Sequence, residues 1–221
     1  MFKNLGFLMS LGAILLGACL VLSQSAYAQA PENGTKSWAV LYHSGTPITD
    51  LFNIDLLVLD PKSGYDVRTL TNRGQTVLAY LSIGEVENYR SYFARVKGAG
   101  AVLMENENWS GSYFVDIRKK MWTRLLIEEV IPDLLRQGFN GLMLDTIDNP
   151  IYLATQGAKY KGMDKAAIKL VKAIRHHYPD IHIMLNRGFE ILPDVAKSLD
   201  SVLAESTFTT YNFANKKAEK L

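Results

Sequence analysis

The chain has 221 residues, 48% of them hydrophobic and 21% charged, with a formal net charge of +2. That length allows one ordinary domain or at most two small ones. The apolar share can build a core and excludes a disordered or low-complexity chain, and the near balance of charge argues against a dedicated nucleic-acid binder. Cys19 is the one cysteine, so a disulfide scaffold and a cysteine-rich metal site are excluded. His43, His176, His177 and His182 show no ligand spacing, and neither a metal nor another cofactor is expected.

Lys3 followed by an apolar run from Leu5 to Leu22 and the triplet Ala26-Tyr27-Ala28 reads as a secretory signal peptide over 1–28. Leu16-Gly17-Ala18-Cys19 also fits a bacterial lipobox, with a lipid carried on Cys19; that lipid would be the only membrane link. Both readings, and an uncleaved anchor, put the working domain outside the cytoplasm, whether secreted, periplasmic or held as an outer-membrane lipoprotein. A polar linker (29–37) leads to the domain itself, 38–221.

Near-continuous apolar runs predict strands over 38–42, 56–60, 76–82, 139–145, 181–185 and 201–205, as expected for strands buried on both faces of a parallel sheet. Helices are predicted over 65–73, ending at Gly74, over 86–97, over 117–137 with a kink or break at Pro132 and Gly138 closing it, and over 164–177. This alternation is the signature of an α/β fold. Tyr42-His43-Ser44-Gly45-Thr46-Pro47 after the first strand is no phosphate loop, which weakens a nucleotide-enzyme reading.

Polar residues close five successive strands: Asp60, then Glu85 shortly after the third, Asp145, Asn186 with Arg187, and Glu205. In a parallel barrel these ends share one face, where active sites are built. Asp60 and Asp148 could equally cap the following helix. Asp145 follows Leu142-Met143-Leu144 while still in the strand, and Glu205 follows Val202-Leu203-Ala204, so capping suits them less. Glu85 could touch substrate or pair with Arg187 or Arg90. His43 is read as a substrate-orienting or rim residue, Tyr80 as core or pocket wall, and Trp109 and Tyr113 as sugar platforms or loop anchors. Two facing carboxylates without metal or nucleotide motifs are the chemistry of glycoside hydrolysis, with a cation such as Arg187 able to hold one of them ionised.

Tyr80-Leu81-Ser82-Ile83-Gly84-Glu85-Val86-Glu87-Asn88-Tyr89-Arg90 resembles the third-strand signature of glycoside hydrolase family 114, the endo-α-1,4-polygalactosaminidases and their extracellular relatives. Gly138 to Asp148, Asn186-Arg187-Gly188-Phe189-Glu190 and Ala204-Glu205-Ser206-Thr207-Phe208 are similar to the motifs that follow. The resemblance implies a (β/α)8 TIM-type barrel and a glycosidase acting on a galactosamine-rich polysaccharide. It points to Asp145 and Glu205 as the catalytic pair, with Asp145 as nucleophile and Glu205 as general acid/base or the reverse. Asp60, Tyr80, Glu85, Asp148, Asn186, Arg187 and His43 are the expected substrate contacts. A carboxyl separation of about 5–5.5 Å would go with retention, and roughly 6.5–9.5 Å with inversion.

A full barrel calls for on the order of 50 further residues after Glu205. The expectation is therefore a barrel cut short after about six strands, its last residues a short polar helix or a frayed end, with a partner chain as one way to cover the gap. The rival reading is a catalytically inactive carbohydrate-binding or scaffold relative.

Overall fold

The computed structural model describes residues 37–212 and 217–220. The predicted signal peptide, Cys19 and all of the linker except Ser37 lie outside the described residues. In chain order the elements are β1 (Trp38–Leu41), β2 (Leu56–Leu59), α1 (Val67–Thr71), β3 (Thr76–Ser82), β4 (Glu85–Glu87), α2 (Phe93–Gly98), β5 (Val102–Glu105), β6 (Ser112–Val115), α3 (Lys120–Leu125), α4 (Ile131–Gln137), β7 (Gly141–Asp145), α5 (Asp148–Thr155), α6 (Met163–His177), β8 (His182–Asn186), α7 (Leu192–Val195), β9 (Ser201–Leu203), β10 (Thr209–Asn212) and β11 (Lys217–Lys220).

The main sheet has the order β1-β2-β3-β7-β8-β9, and every neighbouring pair is parallel. The six strands form a curled half-barrel of α/β type with helices packed on its outer face. Side chains alternate across each strand, and the alternation sorts two apolar groups. Leu57, Leu59, Val77, Ala79, Leu142, Leu144, Ile183 and Leu185 face the helices in the large core. Val58, Leu78, Met143 and Met184 form a second, inner cluster with Val40, Leu56, Tyr80 and Leu203. By the same two-residue period, Asp60, Asp145, Asn186 and Glu205 share the parity of the inner cluster, at the C-terminal ends of their strands.

Three expectations are corrected. The predicted helix over 86–97 begins only at Phe93; Glu85–Glu87 instead pairs antiparallel with β6 in a small sheet of order β4-β6-β5. Val86 is fully buried there, and the Glu85 carboxylate gathers donors from three segments, so tertiary contacts override any local helical preference. The helical run after Asp116 starts at Lys120 and passes Pro132 without breaking, through a π-helical turn at Leu126–Val130. Proline has no N–H to give the carbonyl four residues back, and its ring crowds that carbonyl; here that carbonyl belongs to Glu128, inside the widened turn. Gly138 then ends the run at φ 110°, as the sequence suggests. The third correction concerns the tail: 217–220 is neither helix nor frayed coil but a strand paired antiparallel with β10.

Candidate active site

The register sets the geometry. Ser82 pairs with Asp145 across β3 and β7, and Leu144 pairs with Leu185 across β7 and β8, which brings Asp145 beside Asn186. One turn of the pleat lower, Tyr80 pairs with Met143 on the inner face. Asp145 is therefore flanked on both sides, and both flanking side chains donate to it. The Tyr80 hydroxyl donates to Oδ2 at 2.8 Å, and Asn186 Nδ2 donates to Oδ1 at 2.8 Å. A carboxylate accepting on each oxygen is fixed in rotation, and its charge is met by donors in a partly buried setting. Burial and then the negative charge of Asp145 push the Tyr80 phenol well above the usual tyrosine range, so it stays a donor. Asn186 is buried, and its Oδ1 has no hydrogen-bond partner among the described residues.

Tyr42, directly after β1, stacks edge-on against Tyr80 with ring centroids 5.4 Å apart. Its phenol is pushed up to about 12, first by partial burial and then by the charges of Asp145, Glu205 and Asp60. These three acids thus act on one aromatic residue at the rim. Glu205 itself is exposed, just past β9. Asp60 is buried; it accepts from the Lys62 backbone at 2.7 Å and pairs with Arg90 at 3.1 Å. It caps no helix, since Asp66 does that for α1. Arg90 also grips Glu87 through Nε and Nη2, at 3.1 and 2.9 Å.

Glu85 lies below the surface, 3% exposed, and accepts from Asn106, Asn149 and the Ser112 hydroxyl. Burial raises its carboxyl above the ordinary glutamate range, with the Ser112 and Asn106 donors pulling the other way. Its partners are these three residues, while Arg90 and Arg187 bond elsewhere; Glu85 ties the small sheet to the start of α5. Asp148 is the first residue of α5, with Arg187 Nε 3.6 Å away. Its carboxyl is raised mainly by burial, against the pull of Arg187. His43 stands exposed beyond β1, and Trp109 is exposed at the β5–β6 turn.

The backbone at the strand exits is unusual. Among the described residues, non-glycine residues with positive φ are Thr146 (62°), Arg187 (57°) and Ser206 (54°), and they directly follow Asp145, Asn186 and Glu205. Such conformations cost on the order of 1–3 kcal/mol each and cluster at functional sites. Neither this device nor the part played by Tyr42 shows in the strand-end residues, although Tyr42 shares the parity of Val40. Apart from the rim, a cleft of about 800 Å³ opens beside Tyr80, between Lys62, Arg90 to Arg95 and Glu128 to Gln137; neither Asp145 nor Glu205 lines it. Among the described residues, no group of three or more His, Cys, Asp or Glu side chains is placed to hold a metal ion.

Comparison with known proteins agrees with this architecture. The glycoside hydrolase domain of PelA from Pseudomonas aeruginosa is 27% identical and superposes with a TM-score of 0.74, over 85% of this chain and 74% of that one. Ega3 of Aspergillus fumigatus, in complex with galactosamine, shares the fold at 21% identity and a TM-score of 0.59, over 76% and 66% of the two chains. An uncharacterized protein of Thermotoga maritima is 23% identical over 209 residues, covering 86% of this chain. The chain spans 63% of that relative's length. The sequence model of glycoside-hydrolase family GH114 matches residues 20–219, nearly the whole chain, and the protein belongs to that family.

Proposed function

We propose that the protein is a glycosidase that cleaves α-1,4-linked, galactosamine-rich polysaccharide outside the cytoplasm, with Asp145 as nucleophile and Glu205 as general acid/base. The observation that carries this reading is the pair of hydrogen bonds on Asp145, one from Tyr80 and one from Asn186, at the inner rim of a parallel half-barrel. A nucleophilic carboxylate must be aimed, and a donor on each of its two oxygens fixes its orientation. Glu205, exposed at the end of the sixth strand, carries no such pair of donors among the described residues and is placed for proton exchange with a leaving oxygen and then with water.

The reaction is then a double displacement. Asp145 attacks the anomeric carbon while Glu205 gives a proton to the departing glycosidic oxygen. Water, deprotonated by Glu205, next releases the sugar from Asp145, and two inversions leave the configuration unchanged. The family resemblance supports the galactosamine polymer as substrate, and the signal-like residues 1–28 support action outside the cytoplasm.

The test is release of reducing ends from a partially deacetylated α-1,4-galactosamine polymer by the full chain, beside its Asp145→Asn and Glu205→Gln variants. Turnover by the parent chain, and its loss by at least about a thousandfold in either variant, is the expected result. Full activity in Asp145→Asn, or binding of the polymer without turnover by a folded parent chain, would contradict the proposal.

A further inference from the structure

Thr146 follows Asp145 in a backbone conformation (φ 62°) that β-branched residues seldom adopt. Glycine would make the same turn without strain. What threonine adds is a hydroxyl, and that hydroxyl is fully engaged. Oγ1 donates to the Asp145 carbonyl at 2.6 Å, accepts from the Gly84 N–H at 2.9 Å and lies 2.8 Å from the Ser82 hydroxyl. Ile83 N–H donates to the same Asp145 carbonyl at 3.0 Å. The backbone of Thr146 is pressed on the β3–β4 turn as well: a Cβ on Gly84 would fall 2.1 Å from its carbonyl oxygen. Asp145 is thus held twice, through its carboxylate by Tyr80 and Asn186 and through its peptide by Thr146.

We infer that Thr146 is a positioning residue, whose hydroxyl latches the exit of β7 to the β3–β4 turn and so sets the angle at which Asp145 enters the reaction. It touches no substrate and acts only through Asp145. The inference rests on the proposed role of Asp145, but part of its test does not depend on activity.

Thr146→Gly removes the hydroxyl and relieves the strain, whereas Thr146→Ser restores the hydroxyl. With the galactosamine polymer as substrate, Thr146→Gly is expected to keep KM within about threefold and to lose about 10- to 100-fold in kcat, since small misplacements of a reacting group have effects of that size. Thr146→Ser recovers most of the loss. In parallel, hydrogen exchange at the Gly84 and Ile83 amides should quicken at least tenfold in Thr146→Gly and return toward the parent rate in Thr146→Ser, while the melting temperature stays close to that of the parent.

An unchanged kcat in a folded Thr146→Gly variant overturns the inference, as does a loss that Thr146→Ser fails to recover. If the parent chain shows no turnover, the proposed activity fails and the exchange measurement decides: unchanged protection at both amides overturns the latch, and selective loss supports it. If Thr146→Gly does not fold, Thr146→Ala takes its place, and unfolding of both would make Thr146 a stability residue and overturn the positioning role.

Discussion

Asp145 draws its character from two neighbours that the strand register delivers, Tyr80 one pleat below on β3 and Asn186 directly across on β8. A hydrogen bond to a charged group contributes about 1.5–3 kcal/mol, equivalent to roughly 10- to 100-fold in rate where the charge reacts. Tyr80→Phe, which keeps the ring and its packing on Tyr42, should therefore lower kcat by that factor with little change in KM. Asn186→Ala should do the same, and steady-state kinetics on the galactosamine polymer checks both. Glu85 behaves differently, because it is buried away from the rim. Folding raises its proton affinity above the ordinary value of 4.5. It therefore adds stability while protonated, and that contribution is lost as pH climbs through its raised folded value. The stability of the parent relative to Glu85→Gln should accordingly fall as pH rises above the ordinary value of 4.5, as urea melts of both would show; a constant difference would contradict the shift.

At the scale of elements, the site is held by the short stretches between strands rather than by the strands alone. Gly84 is the tightest point: a side chain there would meet the Thr146 carbonyl at 2.1 Å and Pro150 Cδ at 2.9 Å. Gly84→Ala should destabilise the protein by about 1–3 kcal/mol, the usual cost of overpacking, and a melt that matched the parent would show that the β3–β4 turn can yield. These stretches were also the hardest to read from sequence. The strands were legible because six apolar runs bury both faces, and helix α6 because Ala167, Leu170, Val171 and Ile174 recur at helical spacing. The three-residue strand β4 carries no periodicity of its own; it exists because Val86 is buried and Glu85 collects Asn106, Ser112 and Asn149 from elsewhere in the chain. Helix α5 was missed for a similar reason: its eight residues bury only Pro150 and Leu153, too few to show a helical period. Which polar residues come together was visible in their place at the strand ends, but the separate tasks of Glu85, Asp60 and Asp148 depend on partners up to 64 residues away.

For the whole molecule, the inner face of the half-barrel is divided along the strand axis. Val58, Leu78, Met143 and Met184 form its apolar middle, and Asp60, Asp145, Asn186 and Glu205 stand at the C-terminal ends of their strands. That arrangement sets the acids between an apolar floor on one side and solvent on the other. If Asp145 is the residue that bonds to sugar, the bond can be trapped. A fluorosugar inactivator of galactosamine configuration, whose fluoride leaves as the nucleophile bonds to the anomeric carbon, is incubated with the protein and the adduct located by peptide mass spectrometry. One glycosyl group is expected on the peptide containing Asp145 and none in the Asp145→Asn variant. An adduct on Glu205 or another residue would contradict it, as would hydrolysis of the polymer with inverted configuration and no adduct at all.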